Sequence, residues 1–342
     1  MVATQKDIAD KLGISVATVS RALGGYSDIA KSTQERVKEA AAEMGYRPNI
    51  AARRLQKQKT DTIGFIIPTH GPRFSDPFFT ELLTGIGNEA AEQDYDLLVS
   101  TRAPGSGEMK IYKRMVSEQR VDGLLVVRTR QNDQRIQYLH KEDFPFVAFG
   151  RSDTSVDYPY LDVDSQAGIY EITQHLIGLG HRKLAYISAP EQLQFAKHRL
   201  MGYKQALLAN NIPYDNKLIY YGELTESSGY ELGHEILTKY NGVTAIIASN
   251  DLMALGTTNA ARKLGYEVGK EVAITGFDDV PLASHAHPPL TTVRQPVYDI
   301  GRQICRMLIY TIKKIPLENY HVLLKPELVI RESSKYKKGG EV

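Results

Sequence analysis

The sequence has 342 residues, 42% of them hydrophobic, and a formal net charge of +2, which predicts two or three folding units with cores of their own. Its single cysteine excludes an internal disulfide, and its apolar runs fall short of the roughly 18 to 20 residues that a membrane span needs. The first residues also lack the apolar core of a signal peptide, so we expect a cytoplasmic protein without membrane contact.

The first 59 residues form a basic segment. They carry eleven Lys and Arg against six Asp and Glu, a net charge of +5, whereas the remainder carries 31 against 34, a net charge of −3. A basic segment ahead of a slightly acidic body favours contact with a polyanion. On charge alone an ordinary solvated surface fits equally well, so the helix pattern of the segment has to decide.

Three short helices are predicted at the start of the chain. Thr4 is expected to cap the first, and Asp7, three residues later, completes an approximate capping box. A tight turn at residues 13–15 leads into the second helix, which Ser15 caps, and a third helix is expected over 33–44. The three apolar stripes are formed by Ile8, Ala9 and Leu12, by Val19, Ala22 and Leu23, and by Val37, Ala40, Ala41 and Met44.

This order of a bracing helix, a tight turn and a second helix with a bare face indicates a helix-turn-helix. Val16, Ala17, Ser20 and Arg21 point away from the apolar stripe of the second helix. Arg21 can make a paired hydrogen bond to a guanine edge, and the small Val16 and Ala17 can touch base edges or a thymine methyl group. The alternative is a three-helix bundle with an ordinary polar surface. Turn, stripe and charge together favour the DNA-binding interpretation.

Residues 49–61 are predicted to be a linker. The run 49–59, NIAARRLQKQK, is alanine-rich and strongly basic, so it has good helix propensity but no face wide enough to bury by itself. Leu55 lies among basic residues, where it is either a stray exposed leucine or a wedge for stacked bases. We expect a segment that is helical only when something supports it.

After residue 62, short β-branched runs alternate with amphipathic helical stretches. This alternation predicts parallel, doubly wound sheets, and eight or more strands over about 270 residues favour two such sheets with a cleft between them. The predicted strands are 63–68, 95–101, 121–127, 144–150, 184–188, 218–221, 245–249 and 272–277. The predicted helices are 79–93, 110–119, 166–179, 198–210, 227–239 and 252–264.

Residues 5–59 resemble the DNA-binding head of the LacI/GalR family of bacterial repressors. The matching runs are D-I-A-x-x-L-G-I-S-x-A-T-V-S-R-A-L, T-x-E-R-V and G-Y-R-P-N-x-A-A-R-R-L. The resemblance implies a homodimer on a near-palindromic operator in duplex DNA, with one recognition helix in the major groove of each half-site. The DNA-binding residues expected from pattern and resemblance are Thr4, Ser15, Val16, Ala17, Ser20, Arg21, Asn49, Ala52, Arg53, Arg54 and Leu55.

The resemblance also implies that residues 49–56 form a hinge helix in the minor groove, where Leu55 wedges the central base step and Arg53 and Arg54 attract phosphates. The head departs from the family pattern at two positions. Gly24 follows the recognition helix where the family often has Asn, and Ala30 stands where the family usually has a Ser or Thr cap. Ser32 is expected to supply that cap instead. Both departures put phosphate contacts and half-site preference in doubt.

The resemblance continues through residues 60–333, with landmarks such as D-P-F-F-x-E-L-L at 76–83, R-L-M-G-Y at 199–203 and G-F-D-D at 276–279. It implies a body like a periplasmic sugar-binding protein, with two lobes joined by crossovers near Asp162, Thr292 and Leu324. The expected domains are 1–48 for the helix-turn-helix, 49–61 for the hinge and 62–342 for ligand binding and dimerisation. Within the body, the N-lobe is expected at about 62–161 and 293–323, and the C-lobe at about 162–292 and 324–335.

An effector site is predicted in the cleft, because polar residues follow several parallel strands and can bind vicinal hydroxyls. A sugar also needs a flat aromatic partner. Phe78 and Phe195 are the candidates for this partner, whereas Phe79 is expected to pack in the core. The expected effector-binding residues are Asp76, Phe78, Arg151, Phe195, Arg199, Asn250, Asp278 and Gln295, of which Arg199, Asn250, Asp278 and Gln295 match effector positions of the family.

The sequence therefore predicts a transcriptional regulator, most simply a repressor, that answers to a mono- or oligosaccharide. The absence of a dinucleotide fingerprint, a P-loop, a nucleophile elbow and a metal-ligand spacing argues against an enzyme, a cofactor and a metal site. Arg73, Arg128 and Arg130 leave a purine-like, phosphorylated or protein co-effector open. A stand-alone sugar-binding protein is a weaker alternative, because it would lack the basic head. The sign of the effector response stays open.

Overall fold

The structure, a computed structural model, describes residues 3–46, 59–69 and 76–335. Its contacts divide the chain into two units, residues 1–59 and 60–342, which are called the head and the body below. No helix in these described ranges is both long and apolar enough to cross a membrane.

The head contains the three predicted helices, α1 (Gln5–Leu12), α2 (Val16–Leu23) and α3 (Lys31–Glu43). The predicted capping box of α1 is confirmed: the Thr4 hydroxyl accepts a hydrogen bond from the Asp7 amide, and the Asp7 carboxylate accepts one from the Thr4 amide at 2.8 Å. The predicted stripes meet in one core, whose buried members are Ile8, Ala9, Val19, Ala22, Val37, Ala40 and Ala41.

The expectation that Ser32 caps α3 is wrong. The helix begins at Lys31, two residues before the predicted start, and Ala30 precedes it without a side-chain cap. Ser32 is therefore already inside the first turn, whereas a cap has to lie at the boundary. The Gln34 side chain instead donates hydrogen bonds to the preceding loop, to the carbonyl oxygens of Tyr26 at 2.9 Å and Ile29 at 3.0 Å.

The body contains a six-stranded parallel sheet in the order β11-β5-β4-β3-β1-β2. We call this sheet and the helices packed on it the N-lobe. Its strands are β1 (Thr62–Pro68), β2 (Asp96–Arg102), β3 (Gly123–Val126), β4 (Phe146–Phe149), β5 (Tyr160–Val163) and β11 (His321–Leu324). Its helices are α4 (Pro77–Glu92), α5 (Ser106–Ser117), α6 (Gln134–Lys141) and α12 (Val297–Lys313).

Helices cover both faces of the six-stranded sheet. One apolar cluster joins the sheet to α4 and α12, and a second joins the opposite face to α5 and α6. All seven residues of β1 are buried, as expected for a central strand with a helix layer on each side. The doubly wound architecture predicted from the β-α alternation is therefore confirmed.

The second part of the body, the C-lobe, is built on a four-stranded parallel sheet in the order β7-β6-β8-β9. Its strands are β6 (Leu184–Ser188), β7 (Ile219–Tyr221), β8 (Ala245–Ala248) and β9 (Ala273–Thr275). Its helices are α7 (Ser165–Gly178), α8 (Gln194–Ala209), α9 (Glu226–Lys239), α10 (Asp251–Lys263) and the short α11 (Pro281–His285). An antiparallel ribbon of β10 (Thr292–Arg294) and β12 (Glu327–Val329) lies beside it, because residues 275 and 278 bridge to residues 291 and 294.

The chain passes between the lobes three times. It leaves the six-stranded sheet after β5 to enter α7, returns after β10 to form α12, and leaves again after β11 to form β12. A ligand cleft between two such sheets is lined from both sides by loops at the carboxyl ends of parallel strands. The three crossovers therefore connect the two halves of the cleft at one edge of the body.

Candidate functional site

The described part of the helix-turn-helix presents a compact set of side chains on α2. Val16 is 45% exposed, Ala17 and Arg21 are exposed as well, and Ser20 is half-buried. Val19 and Ala22 hold the opposite face of the helix in the head core with no exposed area. The fold thus gives α2 an accessible face that carries small side chains and one arginine, which matches the requirements for reading base edges in the major groove.

Two of the predicted DNA-binding residues stand at helix N-termini. Thr4 precedes α1, and Ser15 precedes α2, where its hydroxyl accepts a hydrogen bond from the Thr18 amide at 3.0 Å. Both residues are exposed. The N-terminus of α2 is a favourable place for a phosphate, whereas the Asp7 carboxylate already accepts hydrogen bonds from the Thr4 amide and hydroxyl at the N-terminus of α1. The other predicted contacts, Asn49, Ala52, Arg53, Arg54 and Leu55, lie outside the described residues.

The second candidate site is the cleft between the two lobes of the body. It brings together all eight residues that the sequence predicted for effector binding, from loops and helix starts that are far apart in the chain. Its described lining consists of Asp76, Phe78, Val127, Arg128, Thr129, Phe149, Gly150, Arg151, Asp162, Val163, Ser165, Phe195, Arg199, Leu224, Asn250, Asp278 and Gln295.

Arg199 forms the centre of the C-lobe side. Its guanidinium carbon lies 3.7 Å from the centre of the Phe277 ring and 4.6 Å from that of Phe195, so the group is held between two aromatic faces. It also donates a hydrogen bond to the carbonyl oxygen of Ser249 and lies 3.9 Å from a carboxylate oxygen of Asp278. The arginine fork is thereby fixed in orientation, and its buried Nε has no hydrogen-bond partner among the described residues.

Asp278 is the principal acceptor on the same side. The Gln295 amide donates a hydrogen bond to it at 2.6 Å. Burial raises the pKa of Asp278 to about 7, and the nearby charge of Arg199 opposes that rise. Its backbone has φ = 119°, a strained conformation for a residue with a side chain. The loop therefore holds this carboxyl at a fixed place where its proton can be gained or lost near neutral pH.

The N-lobe side carries the ion pair between Arg128 and Asp76, with 2.7 Å between Nη2 and Oδ2. Asp76 also precedes α4 and accepts a hydrogen bond from the Phe78 amide at 3.1 Å. The guanidinium of Arg128 lies 4.7 Å from the centre of the Phe79 ring. Phe79 is 1% exposed, so the expectation that it packs in the core is confirmed.

A third ion pair, between Arg151 and Asp162, lines the cleft. Arg151 donates to Asp162 with 2.7 Å between Nε and Oδ2, and its Nη2 lies 3.4 Å from Nδ1 of His198 on α8. Asp162 belongs to the first crossover between the lobes. Arg151 therefore contacts the cleft, a crossover strand and a C-lobe helix at once.

Several lining residues were not predicted from the sequence. Arg128 had been noted only as a possible phosphate ligand, and Phe149, Asp162 and Leu224 had not been placed in the site. Phe149 stacks on Phe78 with ring centres 6.0 Å apart, which adds a second flat apolar face. Its signal was its position at the end of a buried parallel strand, because such positions face the cleft.

The charges of the described lining balance. Each of the three arginines has a carboxylate neighbour, namely Asp76, Asp162 and Asp278 for Arg128, Arg151 and Arg199. With every aspartate ionised the formal sum is zero, and protonation of Asp278, whose pKa is about 7, leaves an excess of one positive charge in the described lining. Arg73 lies outside the described residues. In the described ranges, no group of three or more His, Cys, Asp and Glu side chains is placed to hold a metal ion. The cleft offers hydrogen bonds in both directions and apolar ring faces, which suits an uncharged polyhydroxy ligand.

Comparisons with known proteins identify the family to which the head and the body belong. Residues 4–49 match the bacterial regulatory proteins of the lacI family, and residues 173–334 match the periplasmic binding protein-like domain. The HTH-type transcriptional regulator CelR of Thermobifida fusca is 34% identical over 333 residues, which cover 96% of this chain and 98% of that protein. The chain belongs to the LacI family. It is accordingly a DNA-binding transcriptional regulator with a helix-turn-helix head and a periplasmic-binding-protein-like body.

Other relatives extend the similarity. The HTH-type transcriptional repressor CytR of Escherichia coli (strain K12) is 31% identical over 97% of this chain and 96% of its own length. Among solved structures, the lac repressor dimer bound to operator and the anti-inducer ONPF matches with a TM-score of 0.84 and 25% identity, covering 98% of this chain and 99% of that one. A CelR–cellobiose complex matches with a TM-score of 0.75 and 32% identity, covering 97% and 100% of the two chains.

Proposed function

We propose that this LacI-family regulator binds a near-palindromic operator as a homodimer and that an uncharged sugar in the cleft of the body controls its affinity for DNA. The relatives that support this assembly include a lac repressor dimer on its operator. In this proposal the exposed face of α2 reads the half-site, with Arg21 as the main base contact and Thr4 and Ser15 as phosphate contacts. Asn49, Ala52, Arg53, Arg54 and Leu55 are assigned the hinge contacts that the family resemblance implies.

The charge balance of the cleft is the observation that carries the sugar proposal. A phosphorylated effector needs cationic side chains that are not already neutralised, whereas Arg128, Arg151 and Arg199 each face a carboxylate. Arg130 pairs with Glu108, with 2.6 Å between Nη2 and Oε2. A sugar instead needs paired donors and acceptors beside ring faces, and Asp278, Gln295, Phe78 and the other lining residues have this chemistry.

The proposal assigns a role to each group in the cleft. Arg199 donates hydrogen bonds to ring or hydroxyl oxygens, Asp278 and Asp76 accept from vicinal hydroxyls, and Phe78 and Phe195 cover the apolar C–H face of the sugar. Cellobiose in the complex of the relative CelR agrees with this class of ligand. We further propose that the protein is not an enzyme and that it acts in the cytoplasm, where its DNA is.

The coupling between the two sites is a difference in DNA affinity between effector-free and effector-bound protein. Because the lobes meet at the cleft, a ligand that contacts both favours one relative orientation of the lobes over another. The sign of the resulting change, induction or corepression, follows from which orientation suits the paired heads.

A first experiment tests the DNA half of the proposal. The full chain is used to select duplexes from a random-sequence pool, with and without a mixture of metabolites. The expected result is a short inverted repeat. Recovery of no preferred sequence under either condition would reject sequence-specific regulation by this chain.

A second experiment tests the ligand half. Thermal unfolding of the full chain is measured against uncharged mono- and disaccharides, nucleobases and sugar phosphates. A ligand present at about 100 times its Kd stabilises the native state by roughly 2.7 kcal/mol, so the specific sugar should raise Tm clearly. Stabilisation by a nucleobase or a sugar phosphate, without any effect of uncharged sugars, would reject the sugar class.

A further inference from the structure

The loop that follows α2 folds back onto Arg21. Gly25 has φ = 72°, and this left-handed residue lets the Tyr26 amide donate a hydrogen bond to the Arg21 carbonyl oxygen at 3.1 Å. The chain thus reverses within three residues of the end of the helix. As a result, the side chains of the loop return to the exposed face of α2 and reach its arginine.

Tyr26 packs across the position of Gly24. A Cβ atom at Gly24 would lie 2.8 Å from Cε2 of the Tyr26 ring, so a residue with a side chain there would displace the ring. The guanidinium carbon of Arg21 lies 5.6 Å from the centre of the same ring, within the range of a cation–π contact. The glycine that departs from the family pattern is therefore matched to the tyrosine two residues later.

Asp28 completes the arrangement. A turn closed by the hydrogen bond from the Ile29 amide to the Tyr26 carbonyl oxygen, at 3.2 Å, brings the Asp28 carboxylate to Nη2 of Arg21, with which it forms an ion pair. Gln34 of α3 donates hydrogen bonds to the carbonyl oxygens at both ends of this turn. The turn is thus fixed to the third helix rather than held by the ion pair alone.

We propose that Tyr26 and Asp28 are positioning residues for Arg21 and that Asp28 determines sequence specificity. Together they hold the guanidinium in one orientation, so that its remaining N–H groups form a preset fork for a guanine edge. We call the three residues the Arg21 clamp. The inference rests on the proposed base-reading role of Arg21 and adds Tyr26 and Asp28 as the residues that orient its side chain.

The clamp has a cost that makes it testable. The carboxylate of Asp28 is 47% exposed beside the face that meets DNA, where it is repelled by phosphates of either a correct or an incorrect sequence. An exposed ion pair of this kind contributes little to folding stability. The charge of Asp28 therefore lowers the affinity for every duplex. Its positioning of Arg21 raises the affinity only for a duplex in which a guanine edge accepts hydrogen bonds from Arg21.

The test measures affinity by fluorescence anisotropy for the full chain on three duplexes. These are the selected operator, the same operator with the guanine pair read by Arg21 replaced, and a random duplex. Asp28→Ala removes charge and acceptor, whereas Asp28→Asn removes the charge and keeps an acceptor oxygen. Glu35→Gln, on exposed α3, is the matched control that removes an equal charge from the same head.

All three variants should bind the random duplex more tightly than the wild type does. Only the Asp28 variants should lose discrimination against the replaced guanine pair, by about five- to tenfold for Asp28→Ala and by less for Asp28→Asn. Tyr26→Ala should lose part of the discrimination, and Tyr26→Phe, which keeps the ring, should retain it. Circular dichroism of each variant verifies that the head is still helical.

Three outcomes overturn the inference in different ways. Wild-type discrimination in Asp28→Ala, beside a clear loss in Arg21→Ala, would show that Arg21 reads the base without the clamp. Wild-type discrimination in Arg21→Ala would reject the base-reading role itself. Tighter binding of all three duplexes by one common factor in Asp28→Ala and Glu35→Gln would reduce Asp28 to a simple charge effect.

Discussion

The head and the cleft both depend on arginines, but they use them in opposite ways. The head has an excess of five positive charges over residues 1–59, and it places Arg21, which pairs with Asp28, on an exposed helix face. In the cleft, three arginines lie in a depression where each faces a carboxylate. The comparison shows that the net charge of the surface around an arginine indicates its ligand better than the pairing of that arginine with one carboxylate. An uncompensated surface suits a polyanion, and a compensated cavity suits a neutral polar molecule.

The two regions also differ in how much apolar packing supports them. Among the described residues, the head core consists of seven buried side chains, four of which are alanines. In the described part of the body, each lobe has an apolar cluster on each face of its sheet. A small unit with so little buried volume is marginally stable. We therefore expect the head to respond more strongly than the body to the loss of one core side chain.

The largest expected effect comes from Ile8→Ala, which removes one of the few large side chains of the head core. A substitution of this kind costs about 2 to 5 kcal/mol, enough to unfold the head and abolish DNA binding. Calorimetry and anisotropy should show lost DNA binding beside an unchanged melting transition of the body and unchanged effector binding. Leu208→Ala, at a position that is 78% exposed on α8, is the control. Equal destabilisation of both units would contradict the comparison.

Next in size is the replacement of Arg199. Arg199→Ala should weaken effector binding by about 2 to 4 kcal/mol, because a buried charged donor is lost and Asp278 keeps an unpaired carboxyl. Arg199→Lys keeps the charge without the planar group between the two phenylalanines and should also bind weakly. Titration calorimetry measures the loss, and operator binding should persist. Lys204→Ala on the same helix is the matched control. Wild-type effector affinity in folded Arg199→Ala would remove this residue from the site.

Arg21→Ala is expected to have a smaller effect, which depends on the DNA sequence. Loss of one paired contact with a guanine costs about 1 to 3 kcal/mol on the operator, and binding to random duplex should fall much less. Anisotropy on both duplexes at several salt concentrations separates the two contributions. An equal loss on operator and random duplex would mean that Arg21 contributes only charge.

The last expected effect is the pH dependence caused by Asp278, which is spread over about three pH units. Burial raises the pKa of its carboxyl to about 7 from an ordinary value of 3.8. Between these values the folded protein binds a proton that the unfolded chain has released, so the free energy of unfolding should fall as pH rises from about 4 to about 7. Asp278→Asn should remove that part of the dependence, as thermal unfolding across this range would show.

Effector binding should change in the opposite direction. If the ionised carboxylate accepts hydrogen bonds from sugar hydroxyls, affinity should rise severalfold as pH passes from 6 to 8, with Arg199, Arg128 and Asp76 as the charged neighbours. Asp278→Asn should flatten this profile. A flat profile in the wild type would indicate that the carboxyl is not an acceptor for the ligand.

The fold was largely predictable because its main elements have simple periodicities. The stripe of α2 and the buried run of β1 both lie where the pattern placed them. Three helices of the body were missed, α6, α11 and α12, and α11 has only five residues, too few to show a helical period. α6 is short and buries the fully charged Arg135 between Glu108 and Asp133, which apolar periodicity assigns to solvent. α12 places Ile300, Ile304 and Leu308 four residues apart, which is a helical period that the sequence shows. This helix was missed because a simple alternation of strands and helices was expected.

The sequence by itself determined the two kinds of unit, the polar residues that follow the strands and the excess of positive charge in the head. These properties depend on local spacing and composition, which the amino-acid sequence contains directly. Only the tertiary structure decided which charges compensate one another. The contacts between Arg128 and Asp76, and between Arg21 and Asp28, depend on turns and crossovers that bring separate segments within a few ångströms. Electrostatic interactions act over those distances in space and not along the chain.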